Sequence, residues 1–238
     1  MIAFTQYEML REKANICTQS FLPMPNVDRC VVGYDPGGDG SHGVAVLRLR
    51  DGIPVQLQTE TLQTTEETIK FFLQLRGLSA IGVDTLTCWS TGPGGWRPAD
   101  RFLRFEYPQV ARSVVTPNGL YGSMGLNGPA VVLQCRAALP ALLVTEAHPK
   151  VLHWHLSGRR YNFKDDRALM EELLCDALGV PVVTATEHAW DAAVSALAAL
   201  KGLLGEWSLD LHQRQCEPNE RLVWPCGPAH YFWPSGDR

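Results

Sequence analysis

The sequence has little that marks a special compartment. Its seven cysteines, Cys17, Cys30, Cys88, Cys135, Cys175, Cys216 and Cys226, include no CxxC pair and no short spacing, so neither a zinc ribbon nor a disulfide framework is encoded by spacing. Reduced thiols and a cytoplasmic location are the expectation. No apolar run approaches the ~18 residues of a membrane span. Glu8, Arg11, Glu12 and Lys13 occupy the place where a signal peptide carries its apolar core, so no membrane association or export is expected. Basic charge in excess is also missing: 21 Lys and Arg stand against 25 Asp and Glu, a formal net charge of −4. That balance excludes coating of nucleic acid through a global positive field and leaves room only for a local basic patch. Internal repeats and low-complexity tracts are absent as well.

What is present is a globular composition: 238 residues, 45% apolar and 19% charged. This length suits one domain with terminal embellishments. The expected organisation is a helical lead-in over 1–29, a core domain over 30–205, and an extension over 206–238 that packs on the core. A surface helix is expected from about residue 5 to 18, broken by Pro23 and Pro25. Cys30 to Tyr34 reads as a buried strand, followed by strands at Gly43 to Leu49 and Val55 to Glu60. The turn signals Gly37-Gly38-Asp39-Gly40 and Asp51-Gly52 between them predict an antiparallel meander.

Thr64 and Glu67 have capping-box spacing ahead of a helix to about Arg76, and Ala80 to Val83 is the next strand. A strand-helix-strand crossover of that length favours parallel pairing with the first strand. Thr85 to Gly95 reads as a loop, Arg97 to Phe105 as a helix, and residues 116 to 128, with Gly119, Gly122, Gly125 and Gly128, as a long loop. A helix over Pro129 to Ala138, a strand over Leu142 to Thr145 and a helix over Asp165 to Leu178 follow. Thr184 and Glu187 form a second capping-box pair, opening a helix to about Leu203. Two aromatic patches, at 222–225 and 230–234, read as edge strands or clasps; Trp224 and Trp233 offer either packing surface or faces on which bases stack.

This reading places acids where a fold can bring them together. Asp35 ends the first strand and Asp84 the fourth. Neighbouring strands lie about 4.8 Å apart, so parallel pairing sets both carboxylates at one sheet edge. Glu146 ends the fifth strand, and Asp191 lies in the alanine-rich last core helix. Carboxylates at buried strand ends need partners, and a shared divalent cation is one way to supply them.

The element order β-β-β-α-β-α-β-α-α with these acids resembles the ribonuclease H-like fold, an α/β mixed five-stranded sheet flanked by helices, here with a C-terminal aromatic extension. More narrowly, Gly33-Tyr34-Asp35-Pro36, Gly82-Val83-Asp84-Thr85, Arg97-Pro98-Ala99-Asp100-Arg101, Glu146-Ala147-His148-Pro149 and His188-Ala189-Trp190-Asp191-Ala192-Ala193 are similar to the motif series of domain-of-unknown-function family 429, predicted ribonuclease H-like nucleases. The resemblance spans about 30 to 203 and implies that Asp35, Asp84, Glu146 and Asp191 are the site acids. Thr85-Leu86 departs from the small apolar-proline turn common in such proteins.

The chemistry implied is phosphodiester hydrolysis assisted by two Mg²⁺ or Mn²⁺ ions, with nucleic acid, DNA or RNA, as partner. Asp35, Asp84 and Asp191 are the expected metal ligands, with Glu146 holding water or an outer position. His188, one turn before Asp191, is placed to orient water or assist the leaving group. Arg97 and Arg101 would position the scissile phosphate.

Each residue has a plainer reading. Asp35 and Asp84 suit turns, Glu146 could pair with Arg97 or His148, His188 could simply pack, and Arg97, Asp100 and Arg101 could form an ion-paired face. Two other functions stay open: a non-catalytic nucleotide- or protein-binding module, and an ATP-dependent phosphotransferase using Asp35-Pro36-Gly37-Gly38-Asp39-Gly40 as its phosphate loop. Strand preference, mode of cutting and oligomeric state are not encoded in any of these patterns.

Overall fold

The computed structural model describes residues 29–120 and 122–235; the helix expected over residues 5 to 18 and most of the 1–29 lead-in lie outside the described residues. β1 (Arg29–Asp35), buried from its second residue onward, is the central strand. β2 (His42–Arg50) and β3 (Ile53–Leu62) follow as an antiparallel meander. Thr64 then caps α1 (Thr65–Leu73), its hydroxyl accepting from the Glu67 N–H. The crossover returns the chain as β4 (Leu78–Val83), parallel to β1 with Gly33 opposite Gly82 and Tyr34 opposite Val83. After β5 (Trp89–Ser90), α2 (Pro98–Glu106) and α3 (Gly122–Ala138), β6 (Leu143–Glu146) adds parallel to β4. The strand order β3-β2-β1-β4-β6, three antiparallel and then two parallel, is the ribonuclease H-like sheet.

Helices cover both faces because successive strand residues point to opposite sides. Val32, Tyr34, Val46 and Ile81 pack with Phe72 of α1 and with Val131, Val132 and Cys135 of α3. On the other face Val31, Ala45 and Leu47 pack beneath α6 (Glu187–Leu203), with α4 (Pro149–Ser157) and α5 (Phe163–Leu178) behind it. α6 rests almost directly on the sheet. A Cβ on Gly33 would run into the Ala192 carbonyl, and one on Gly82 into the Ser195 carbonyl. Two paired glycines under small helix residues thus fix how deep α6 sits, and that depth carries Asp191 to the strand ends.

Three expectations are corrected. Residues 122–128, expected as loop, form the start of α3. Its glycines are held by tertiary contacts: the Thr85 hydroxyl donates to the Met124 carbonyl at 2.8 Å and the Asn127 amide to the Gly37 carbonyl at 2.8 Å. These anchors outweigh a weak local helix propensity. The cap of α6 is Thr186, which accepts from the Ala189 N–H, whereas Thr184 donates to Glu171. α4 had no counterpart in the expected elements, although Pro149 at its first position is a helix-start signal.

The C-terminal segment returns along the β6 edge. β7 (Leu209–Asp210) pairs with β9 (Phe232–Trp233), β8 (Leu222–Val223) pairs with β5, and His230 bridges to Thr145. Trp233 is buried and its indole N–H donates to the Tyr107 hydroxyl at 2.8 Å, so it is a packing residue. Among the described residues no helix is long and apolar enough to cross a membrane.

Candidate active site

At the carboxyl ends of β1 and β4 the Asp84 N–H donates to the Tyr34 carbonyl at 2.9 Å, which holds Asp35 and Asp84 on adjacent strand ends. α6 brings two more groups to this edge. His188 Nδ1 lies 2.6 Å from Asp35 Oδ2, and Asp191 Oδ1 accepts from the Tyr161 hydroxyl at 2.9 Å. Asp35 and Asp191 are buried and Asp84 is half-buried.

The electrostatics show that the three aspartates share one region. Burial raises the pKa of all three. Asp84 is pushed well up by burial and then by Asp35, and Asp191 by burial and then by Asp35 and Asp84. Each charge makes its neighbours harder to ionise. The opposing influences are small in number: the His188 bond on Asp35, the Tyr161 bond on Asp191, and the Lys150 ammonium, whose field reaches all three. Lys150 sits in the first turn of α4, paired with Glu187 at 3.7 Å. Lys150 and Tyr161 were not legible as site residues; the Pro149 helix start was the one local signal pointing to Lys150.

Glu146 is handled differently. Its Oε1 accepts from the Thr87 hydroxyl at 2.7 Å and from Arg97 Nη1 at 2.7 Å, with His212 Nε2 at 3.4 Å. Arg97 is fully buried and forks onto Asp100 through Nε at 3.0 Å and Nη2 at 2.8 Å. So the expectation that Arg97 grips a phosphate gives way to its plainer alternative. Its guanidinium ties α2 to the end of β6, because a buried carboxylate there needs a hydrogen-bonded counterion. Arg101 likewise turns to the C-terminal segment, with Nη2 2.6 Å from Glu220 Oε2.

Among the described residues, Cys88, Glu146 and His212 are the trio whose potential ligand atoms all lie within 4.8 Å of one another. They do not fit a cation. The Glu146 oxygen is already occupied, and Arg97 Nη1 stands 3.6 Å from Cys88 Sγ, so a metal would face a guanidinium. The aspartates are not drawn that closely together, but their donor set fits. Hard carboxylate oxygens that are desolvated and mutually repelling match Mg²⁺ or Mn²⁺.

The Glu146 cluster makes stability depend on pH. Burial alone would raise Glu146, but Arg97 and His212 outweigh it and hold the carboxyl far below its ordinary range. Burial alone would lower His212, but Glu146 and Cys88 outweigh it and lift the imidazole from 6.5 to about 10. The contribution of charged His212 is therefore complete below about pH 6.5 and lost as the pH rises towards about 10. Thermal melts of the wild type and His212→Gln are expected to show a wild-type advantage at pH 6 that shrinks by pH 9. An advantage that grows with pH contradicts the ion pair.

No family model matches the chain, and no curated protein matches it. Among solved structures the chain is similar to Thermus thermophilus RuvC, with TM-score 0.42, 16% identity, and coverage of 74% of this chain and 96% of that one. It is also similar to T. thermophilus RuvC in complex with a Holliday junction substrate, with TM-score 0.43, 15% identity, and coverage of 74% and 96%.

Proposed function

We propose that the protein is a metal-dependent nuclease whose site is formed by Asp35, Asp84 and Asp191. One contrast carries this reading. The fold supplies buried Glu146 with Arg97 and His212, whereas among the described residues the cations that act on the three buried or half-buried aspartates are His188, bonded to Asp35, and the solvent-facing Lys150, and neither Asp84 nor Asp191 has an ion pair of its own. Unpaired buried carboxylates are costly, so an arrangement that keeps them suits a cation from solution.

Asp35 and Asp84 from the sheet and Asp191 from α6 would hold Mg²⁺ or Mn²⁺, as one ion or the pair expected from the acid count. When bound, the metal supplies a lowered pKa for the attacking water and charge for the leaving oxygen. His188 uses Nδ1 on Asp35, which orients the ring, and its side chain is 42% exposed, so Nε2 is free to exchange a proton with solvent at the site. Lys150 contributes positive charge where a phosphate would arrive. Glu146, held by Arg97, supports the end of β6 and takes no part in proton transfer.

The test is a cleavage screen over single- and double-stranded DNA and RNA with Mn²⁺, Mg²⁺ or EDTA, run beside thermal melts. Cleavage that requires the metal, together with a Mn²⁺-dependent rise in melting temperature, is the expected result. A melting temperature indifferent to both ions, with no strand cut, removes the reading and favours a metal-free binding module.

A further inference from the structure

A cavity of about 210 Å³ opens directly beside Asp84. Its walls come from the Asp84-Thr85-Leu86 turn, the 113–120 segment, the first turn of α3 and the start of α4. It is pre-formed, since the Thr85 hydroxyl is bonded to the Met124 carbonyl and Gly128 lies against the Thr85 side chain. Leu86, Val114, Leu120 and Met124 give it apolar sides, and its polar lining includes Asp84, His148, Lys150 and the Arg97–Asp100 ion pair, whose charges satisfy each other. The His148 Nε2–H donates to the Ser113 carbonyl at 3.2 Å, which leaves Nδ1 as a buried acceptor without a protein partner.

This volume lies below the about 300–1,000 Å³ that drug-sized ligands occupy, and it suits one planar heterocycle. Apolar walls with an isolated acceptor suit the faces and edge of a nucleobase. Lys150 lines the cavity and also acts on all three aspartates, so a ligand filling it would carry its negative charge to the site edge. A base still paired and stacked in a duplex cannot enter such a cavity.

We propose that this cavity receives one unpaired nucleobase of the strand being cut, its phosphate lying between Lys150 and the aspartates. The proposal rests on the nuclease reading and narrows its substrate to nucleic acid with an unpaired nucleotide at the cut. The experiment measures binding without cleavage: anisotropy of a labelled single strand in Ca²⁺, with one abasic residue walked along it. The same strands are then cut in Mn²⁺.

The wild type is expected to lose about 10-fold in affinity when the abasic residue reaches one position, adjacent to the cut. Leu120→Trp, which fills the cavity, is expected to bind intact and abasic strands equally. Met124→Trp repeats the test if Leu120→Trp melts early, and the wild-type walk decides alone if both do. Cleavage in Mn²⁺ with no position that discriminates overturns the cavity inference and leaves the nuclease standing. A protein that neither binds nor cuts any strand overturns both.

Discussion

Arg97→Met is expected to lower the stability of the protein by about 3–5 kcal/mol, the usual loss when one partner of a buried ion pair is removed. That is a large share of the about 5–15 kcal/mol by which domains are typically stable. The loss is large because of what stays behind. Glu146 and Asp100 are 1% and 2% exposed, and without the guanidinium both carboxylates lie in the interior, Glu146 keeping the Thr87 hydroxyl as a neutral donor and His212 at 3.4 Å. Arg97→Lys is expected to rescue little, since an ammonium cannot fork onto Asp100 and reach Glu146 at once. Adding Glu146→Gln to Arg97→Met is expected to regain part of the loss, because the stranded charge is then gone. Urea unfolding of the four proteins measures this. A loss under about 1 kcal/mol for Arg97→Met, the level of an exposed pair, contradicts a compensated interior cluster.

Asp191→Asn is expected to move activity and stability in opposite directions. In EDTA it should raise stability by about 0.5–2 kcal/mol, the yield common when a strained functional residue is relieved. The asparagine still accepts from the Tyr161 hydroxyl through its carbonyl, while the charge that repels Asp35 and Asp84 disappears. In Mn²⁺ the same variant should cut at least about 10³-fold more slowly, roughly 4 kcal/mol of lost transition-state stabilisation. Melts in EDTA and single-turnover cleavage in Mn²⁺ read the two effects on one preparation. A lower melting temperature contradicts charge crowding at this edge, and unchanged cleavage removes Asp191 from the site.

Much of the fold was legible because its signals are local. The alternation and turns of 30–60, the Thr64 cap and the apolar runs ending in Asp35 and Asp84 each depend on neighbours in the chain. The missed pieces depend on distant ones. The glycine-bearing start of α3 is helical because Thr85 and Asn127 anchor it, and Thr184 is not a cap because Glu171, on α5, takes its hydroxyl and N–H. At the site, Lys150 and Tyr161 belong to segments whose approach to Asp35 follows from the packing of α4 and α5 against α6.

By itself the sequence determined that acids stand at strand ends and in the last core helix, since periodicity fixes where a strand stops and which helix face is apolar. Only the tertiary structure decided which of those acids have a counterion. Glu146 meets Arg97 and His212, residues 49 and 66 positions away, and Asp35 meets His188, whereas Asp84 and Asp191 have no ion pair among the described residues and lie in the field of Asp35. Charge compensation depends on distances across space, and hydrophobic pattern along the chain does not encode them.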